Sequence, residues 1–160
     1  MKIRSVNTNN RRKVFEVRTS TRTFDFSYSK AHPRPTAADP IASVVVDKAL
    51  GREAFTYVLK SGLEGSVHID HVLDYNRDPS YMRDMLLYKL TLEAKNRVES
   101  SPLAKRELIR RLATSATQFY RLLDPTNRRK SIDQMLSLLQ LLDCTVDLKV
   151  RTNRPVRHAA

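Results

Sequence analysis

The feature that most constrains this chain is a change of hydrophobic period at Asp78-Pro79. Before it, apolar residues alternate: Asp25 and Ser27 separate Phe24, Phe26 and Tyr28, and Thr56 and Val58 separate Phe55, Tyr57 and Leu59. A period of two places such side chains on one face of a pleated strand. After it, Met82, Met85, Leu86, Leu90, Ala94 and Val98 recur at three- and four-residue spacing, the period of an amphipathic helix. All three glycines fall between residues 51 and 65. The chain therefore reads as α+β, strands first and helices second.

Strand-period segments lie near residues 13–19, 22–28, 42–48, 53–60 and 65–70. Lys48–Arg52 and Ser61–Gly65 supply turns, the second through its two glycines. Prolines 33, 35 and 40 remove donors and restrict their neighbours, so residues 32–40 read as a linker between a hairpin and a three-stranded meander. Asp78 as cap and Pro79 at the first helical position open a helix of roughly five turns that ends at Glu99. Ser101-Pro102 repeats that signature for the next helix. The expected architecture is a small antiparallel β domain over residues 14–78, then a four-helix domain over 79–150 with a short strand at 145–150. Basic flexible tails are expected at 1–13 and 151–160.

Charge narrows the class of partner. The net is +12, and it is uneven. Residues 1–34 carry nine Lys/Arg against two Asp/Glu, residues 35–100 eight against ten, and residues 101–160 twelve against five. Such a balance points to a polyanion. The single cysteine, Cys144, excludes an intrachain disulfide and fits a reducing cytoplasm, and its apolar surroundings suit a small buried hydrophobe. No secretory signal and no run of 18 apolar residues is legible, so neither export nor a membrane partner is expected.

Residues 105–123 hold two short apolar faces, Leu108/Ile109/Leu112 and Phe119/Leu122/Leu123, with Thr114-Ser115 between them. Ser115 is a strong helix cap. Two short helices joined by such a turn cross at a steep angle and need supporting helices, here 79–99 and 131–143, the latter capped by Ser131. This segment resembles the lambda-repressor-like, Xre-type helix-turn-helix family over about 60 residues, from Tyr81 to Asp143. The match runs through Leu108, Leu112, Thr114, Ser115, Phe119, Leu122, Asp124, Asn127 and Ser131. It departs at Ile109, where the family has a small residue, and at Ala113, where it has glycine at the turn. Ala113 therefore predicts a slightly altered turn within the same motif.

The resemblance implies sequence-specific binding of double-stranded DNA by a transcription regulator, a repressor by family habit, acting as a homodimer on a palindrome. With Phe119 and Leu122 inward, Ala116, Thr117, Tyr120 and Arg121 project outward. Arg121 suits guanine O6 and N7, Thr117 and Ala116 suit a thymine methyl, and Gln118 an adenine or a phosphate. Lys105, Arg106, Ser115, Arg128, Arg129, Lys130 and Ser131 are the phosphate candidates. Six such contacts would give a log–log salt slope of about −5.

Two other readings stay open at this level. Alternation at Thr145–Val150 suits an antitoxin whose N-terminal domain or basic tail wraps a toxin partner. An RNA-binding or structural module is the other, although Tyr120 is the one exposed aromatic platform expected in the basic half. His68-Ile69-Asp70-His71 with Asp74 lacks a convincing third metal ligand, and Asp70, Asp74 and Asp78 read as loop punctuation and a helix cap. No phosphate loop or nucleophile motif is present, so neither an enzyme nor a cofactor is expected.

Overall fold

The computed structural model describes residues 1–151. The chain divides into two compact units, Met1–Arg83 and Asp84 onward. The first unit holds six strands: β1 (Ile3–Asn9), β2 (Val14–Thr19), β3 (Thr23–Ser27), β4 (Ile41–Asp47), β5 (Ala54–Leu59) and β6 (Glu64–His68). They form two three-stranded antiparallel sheets, ordered β1-β2-β3 and β4-β5-β6. A 3-10 turn, Tyr28–Lys30, follows β3, and helix α1 (Ile69–Tyr75) follows β6.

The two sheets share one register scheme. In the first, Ile3 faces Thr19, a bulge intervenes, and Val6 then faces Val17 and Asn9 faces Val14. In the second, Ile41 faces Leu59, a bulge falls at the same step, and Val44 then faces Tyr57 and Asp47 faces Ala54. The third strands agree too: Val17 faces Phe24 as Tyr57 faces Gly65. Bonds outside the ladders also correspond. Tyr28 N–H donates to the Lys13 carbonyl at 2.9 Å, and Ile69 N–H to the Glu53 carbonyl at 2.7 Å. Thr19 N–H reaches the Arg22 carbonyl at 2.9 Å, and Leu59 N–H the Leu63 carbonyl at 2.8 Å. One layout is used twice.

The counterparts Phe15 and Phe55 meet with ring centroids 4.9 Å apart, and Phe15 also touches Tyr28 at 4.8 Å and Tyr57 at 5.0 Å. Such pairs add about 0.5–1.5 kcal/mol each beyond the area they bury. Burial lifts the Tyr57 hydroxyl to a pKa of about 12, and the hydroxyl donates to the Pro33 carbonyl at 2.5 Å. Gly65 belongs to this cluster and not to the preceding turn. A Cβ there would collide with the Tyr57 hydroxyl and the His32 carbonyl, so only glycine admits the ring. Gly62, at φ +89°, makes the turn.

The second unit contains the rest of α2 (Pro79–Ser100), whose first turn lies in the first unit, and α3 (Lys105–Arg111), α4 (Ala116–Leu122) and α5 (Ile132–Leu141). Asp78 caps α2, its Oδ1 accepting the Tyr81 N–H at 3.0 Å, and it pairs with Arg22. The buried face of α2 is Leu87, Thr91, Ala94 and Val98. Apolar residues surround this helix, so its period does not single out one face, and the expected Met82 and Leu86 are left 39% and 52% exposed. Thr91 is admitted to the core because its hydroxyl donates to the Leu87 carbonyl at 2.6 Å. Leu108, Phe119, Leu122, Met135, Leu138 and Leu139 complete that core.

Three helices end in the same way. Arg77, Ala113 and Asp143 adopt φ of 50°, 48° and 54° just past α1, α3 and α5. Each donates to the carbonyl three residues back, and the next residue donates to the carbonyl five back: Asp78 to Leu73 at 2.9 Å, Thr114 to Ile109 at 3.3 Å, Cys144 to Leu139 at 2.9 Å. This is the Schellman arrangement, which satisfies carbonyls the helix leaves orphaned.

The expected architecture is overturned in four places. Residues 3–9 are not a tail, because β1 pairs with β2, and the expected hairpin is a full three-stranded sheet. Residues 69–75 are a helix and not a loop, because His68 Nδ1 accepts the Asp70 N–H at 3.2 Å and starts α1. The molecule thus has two sheets and five helices among its described residues, in place of one small β domain and four helices. Residues 145–150 form no strand, since no described strand lies beside them. Of the expected C-terminal tail, residues 152–160 lie outside the described residues.

Candidate nucleic-acid interface

Ser101-Pro102 does not start α3. Ser101 Oγ accepts the Leu103 N–H at 3.1 Å, and the helix begins after Ala104, whose side chain offers no cap. Lys105 and Arg106 stand exposed in its first turn. Glu107 accepts two bonds from Arg110, at 2.9 and 2.7 Å, and one from Arg111 at 2.7 Å. Those bonds, the Arg110 pair foremost, hold its carboxyl at a pKa of about 2.

The α3–α4 turn passes through Ala113 in the left-handed region, where the resemblance has glycine. Ser115 then caps α4, its Oγ accepting the Gln118 N–H at 3.2 Å and leaving the hydroxyl proton free. Phe119, fully buried, and Leu122 mark the inward side of α4. At about 100° per residue, the opposite side is centred on Thr117, with Tyr120 and Arg121 beside it. All three are exposed. Tyr120 is held edge-on against Phe119, with centroids 5.7 Å apart. Ala116 and Gln118 flank this face. Gln118 turns toward α5, where it lines a groove of about 100 Å³ with Gln134 and Ser137.

The loop from α4 to α5 is bonded throughout. Asn127 donates to the Arg121 carbonyl at 3.0 Å and accepts the Arg129 N–H at 3.1 Å. Asp124 accepts the N–H and the hydroxyl of Thr126, which lower its pKa. Arg128 reaches Asp84 at 3.4 Å, Arg129 is exposed, and Ser131 caps α5 by accepting the Asp133 N–H at 3.1 Å. Asp133 puts a carboxylate in the first turn of α5, which weakens the appeal of that end to phosphate.

Lys130 is a correction. Its side chain turns inward, and its ammonium donates to Thr91 Oγ1 at 2.7 Å, the Leu122 carbonyl at 2.9 Å and the Asp124 carbonyl at 2.6 Å. All three of its donors are used, so none remains for a phosphate. Burial lowers its pKa, and Asp124 opposes that shift. The sequence reading missed this site. The one signal was Thr91, a hydroxyl in line with Leu87, Ala94 and Val98.

The structure thus gathers Thr117, Tyr120 and Arg121 on one face, with Lys105, Arg106, Ser115, Arg128, Arg129 and Ser131 exposed on the same unit. Among the described residues no group of three or more His, Cys, Asp or Glu is placed to hold a metal, and no helix is long and apolar enough to cross a membrane. No family model matches the chain, and no curated protein and no solved structure is found to be similar to it.

Proposed function

We propose that the helical unit binds duplex DNA in the major groove through the outer face of α4, as a sequence-specific transcription regulator. The observation that supports this is the α3–turn–α4 pair. A left-handed turn at Ala113 and the Ser115 cap join α4 to α3, Phe119 and Leu122 anchor it, and Thr117, Tyr120 and Arg121 are left exposed on its outer side, Tyr120 edge-on against Phe119. A helix presented this way reads base edges, and Arg121 suits guanine. Twelve Lys/Arg against five Asp/Glu in residues 101–160 supply the attraction to phosphate.

The phosphate set is smaller than the sequence suggests. Lys130 is withdrawn and Arg128 is tied to Asp84. Of the seven candidates, Lys105, Arg106, Ser115, Arg129 and Ser131 remain, and with about four of them engaged the log–log salt slope is about −4. The test is selection of bound duplexes from a random library, with wild type and Arg121→Ala in parallel. A motif that loses a G·C preference in the variant supports the reading. Equal, motif-free, salt-sensitive binding by both proteins overturns it.

A further inference from the structure

Beyond the cap of α5, residues 145–151 form no helix or strand. Their apolar residues occupy every second position, and Val146, Leu148 and Val150 are 46%, 82% and 83% exposed. Residues spaced by two share one face of an extended chain, so in that conformation this segment carries an apolar stripe that the described residues leave largely exposed at Leu148 and Val150 and half-covered at Val146. Thr145, Asp147, Lys149 and Arg151 occupy the other face.

We propose that this segment pairs with the same segment of a second copy of the chain, as an antiparallel two-stranded ribbon centred on Leu148. The sequence is self-complementary about that residue. With Leu148 opposite its own counterpart, Val146 faces the partner's Val150 and Asp147 faces the partner's Lys149, in both directions. Opposite charges directly across a ladder stabilise it, and like charges do the reverse. Centring on Asp147 or on Lys149 sets that charge against itself, and a parallel pairing in register does so for both. Centring between residues mixes the apolar and charged faces. In the Leu148 register Leu148 meets itself, Val146 meets Val150 and Asp147 meets Lys149, with Thr145 opposite Arg151 at the ends. A two-stranded ribbon by itself is of marginal stability, so the dimer is concentration dependent. The pairing does not rest on what α4 binds.

The test uses the full chain in a Cys144→Ser background, which leaves no other cysteine. Residues opposite each other across an antiparallel ladder have Cα atoms about 4.5–5.5 Å apart, within disulfide reach. Leu148→Cys is expected to cross-link to itself on mild oxidation. Val146→Cys and Val150→Cys are expected to cross-link when mixed, and neither with itself. In sedimentation, Lys149→Asp is expected to shift the chain to monomer, and Asp147→Lys/Lys149→Asp to restore the dimer. These positions are exposed, and an unchanged thermal melt confirms that each variant folds. A chain that is monomeric at all concentrations overturns the proposal. So does cross-linking of equal yield at all three positions, or a dimer insensitive to Lys149→Asp.

Discussion

The two units satisfy most of their backbones in different ways, although α1 of the sheet unit ends in the same left-handed cap as α3 and α5. In the sheet unit the ladders between neighbouring strands do most of the work, and the core is a cluster of rings in which Phe15 alone touches Tyr28, Phe55 and Tyr57. In the helical unit α3 and α4 are seven residues each, too short to pair most of their own terminal groups. Their carbonyls are met instead by a left-handed cap and by the ammonium of Lys130. Stability in the first unit is spread over many pairings, and in the second it rests on a few side chains.

The largest test of that difference is a pair of ring deletions. Phe15→Ala and Phe119→Ala are each expected to cost about 3–5 kcal/mol. Amide exchange should show the first loosening both sheets and the second loosening only α2 to α5. A loss shared equally by both units would break the comparison. Next in size is Lys130→Met, which keeps the side-chain stem and removes the donors to Leu122, Asp124 and Thr91. Leaving buried acceptors unmet is expected to cost about 1–3 kcal/mol by denaturant unfolding. The salt slope of DNA binding should stay unchanged, whereas Arg129→Ala should reduce it by about 1.

Smaller effects sharpen the picture. Ala113→Gly is expected to stabilise the helical unit by about 0.5–1 kcal/mol, because glycine occupies a positive φ without strain. An unchanged melt would mean that the turn relaxes elsewhere. Glu107 titrates at about 2 in the folded chain against a usual 4.5. Its pairing with Arg110 and Arg111 is therefore fully present above the usual value and is lost as pH falls from 4.5 toward 2. Melts of wild type should fall through that window, and Glu107→Gln should flatten the fall.

Much of this was legible in the sequence where period and polarity agree. Alternation located five strands, and the Asp78-Pro79 pair located the start of α2. The first strand escaped because Ile3–Asn9 carries two apolar residues among polar ones, and its pairing with β2 is a contact the local sequence does not announce. The helix Ile69–Tyr75 escaped because its aspartates resemble loop punctuation, while the cap is a histidine. In the candidate site, α4's outer face follows from Phe119 and Leu122, and Ala113 marks the turn. Nothing in Arg128-Arg129-Lys130 tells which of three adjacent cations turns inward. That choice depends on Thr91, 39 residues away, and is settled only by packing.

The doubled layout of the sheet unit carries a consequence for how its sequence can vary. Because Phe15 and Phe55 occupy the same place in each copy and meet each other, each one's neighbour is its own double. A larger ring on one side must be answered by a smaller one on the other, since the shared space admits no slack. The two halves can diverge freely on their outer faces, but in the centre they inherit each other's changes.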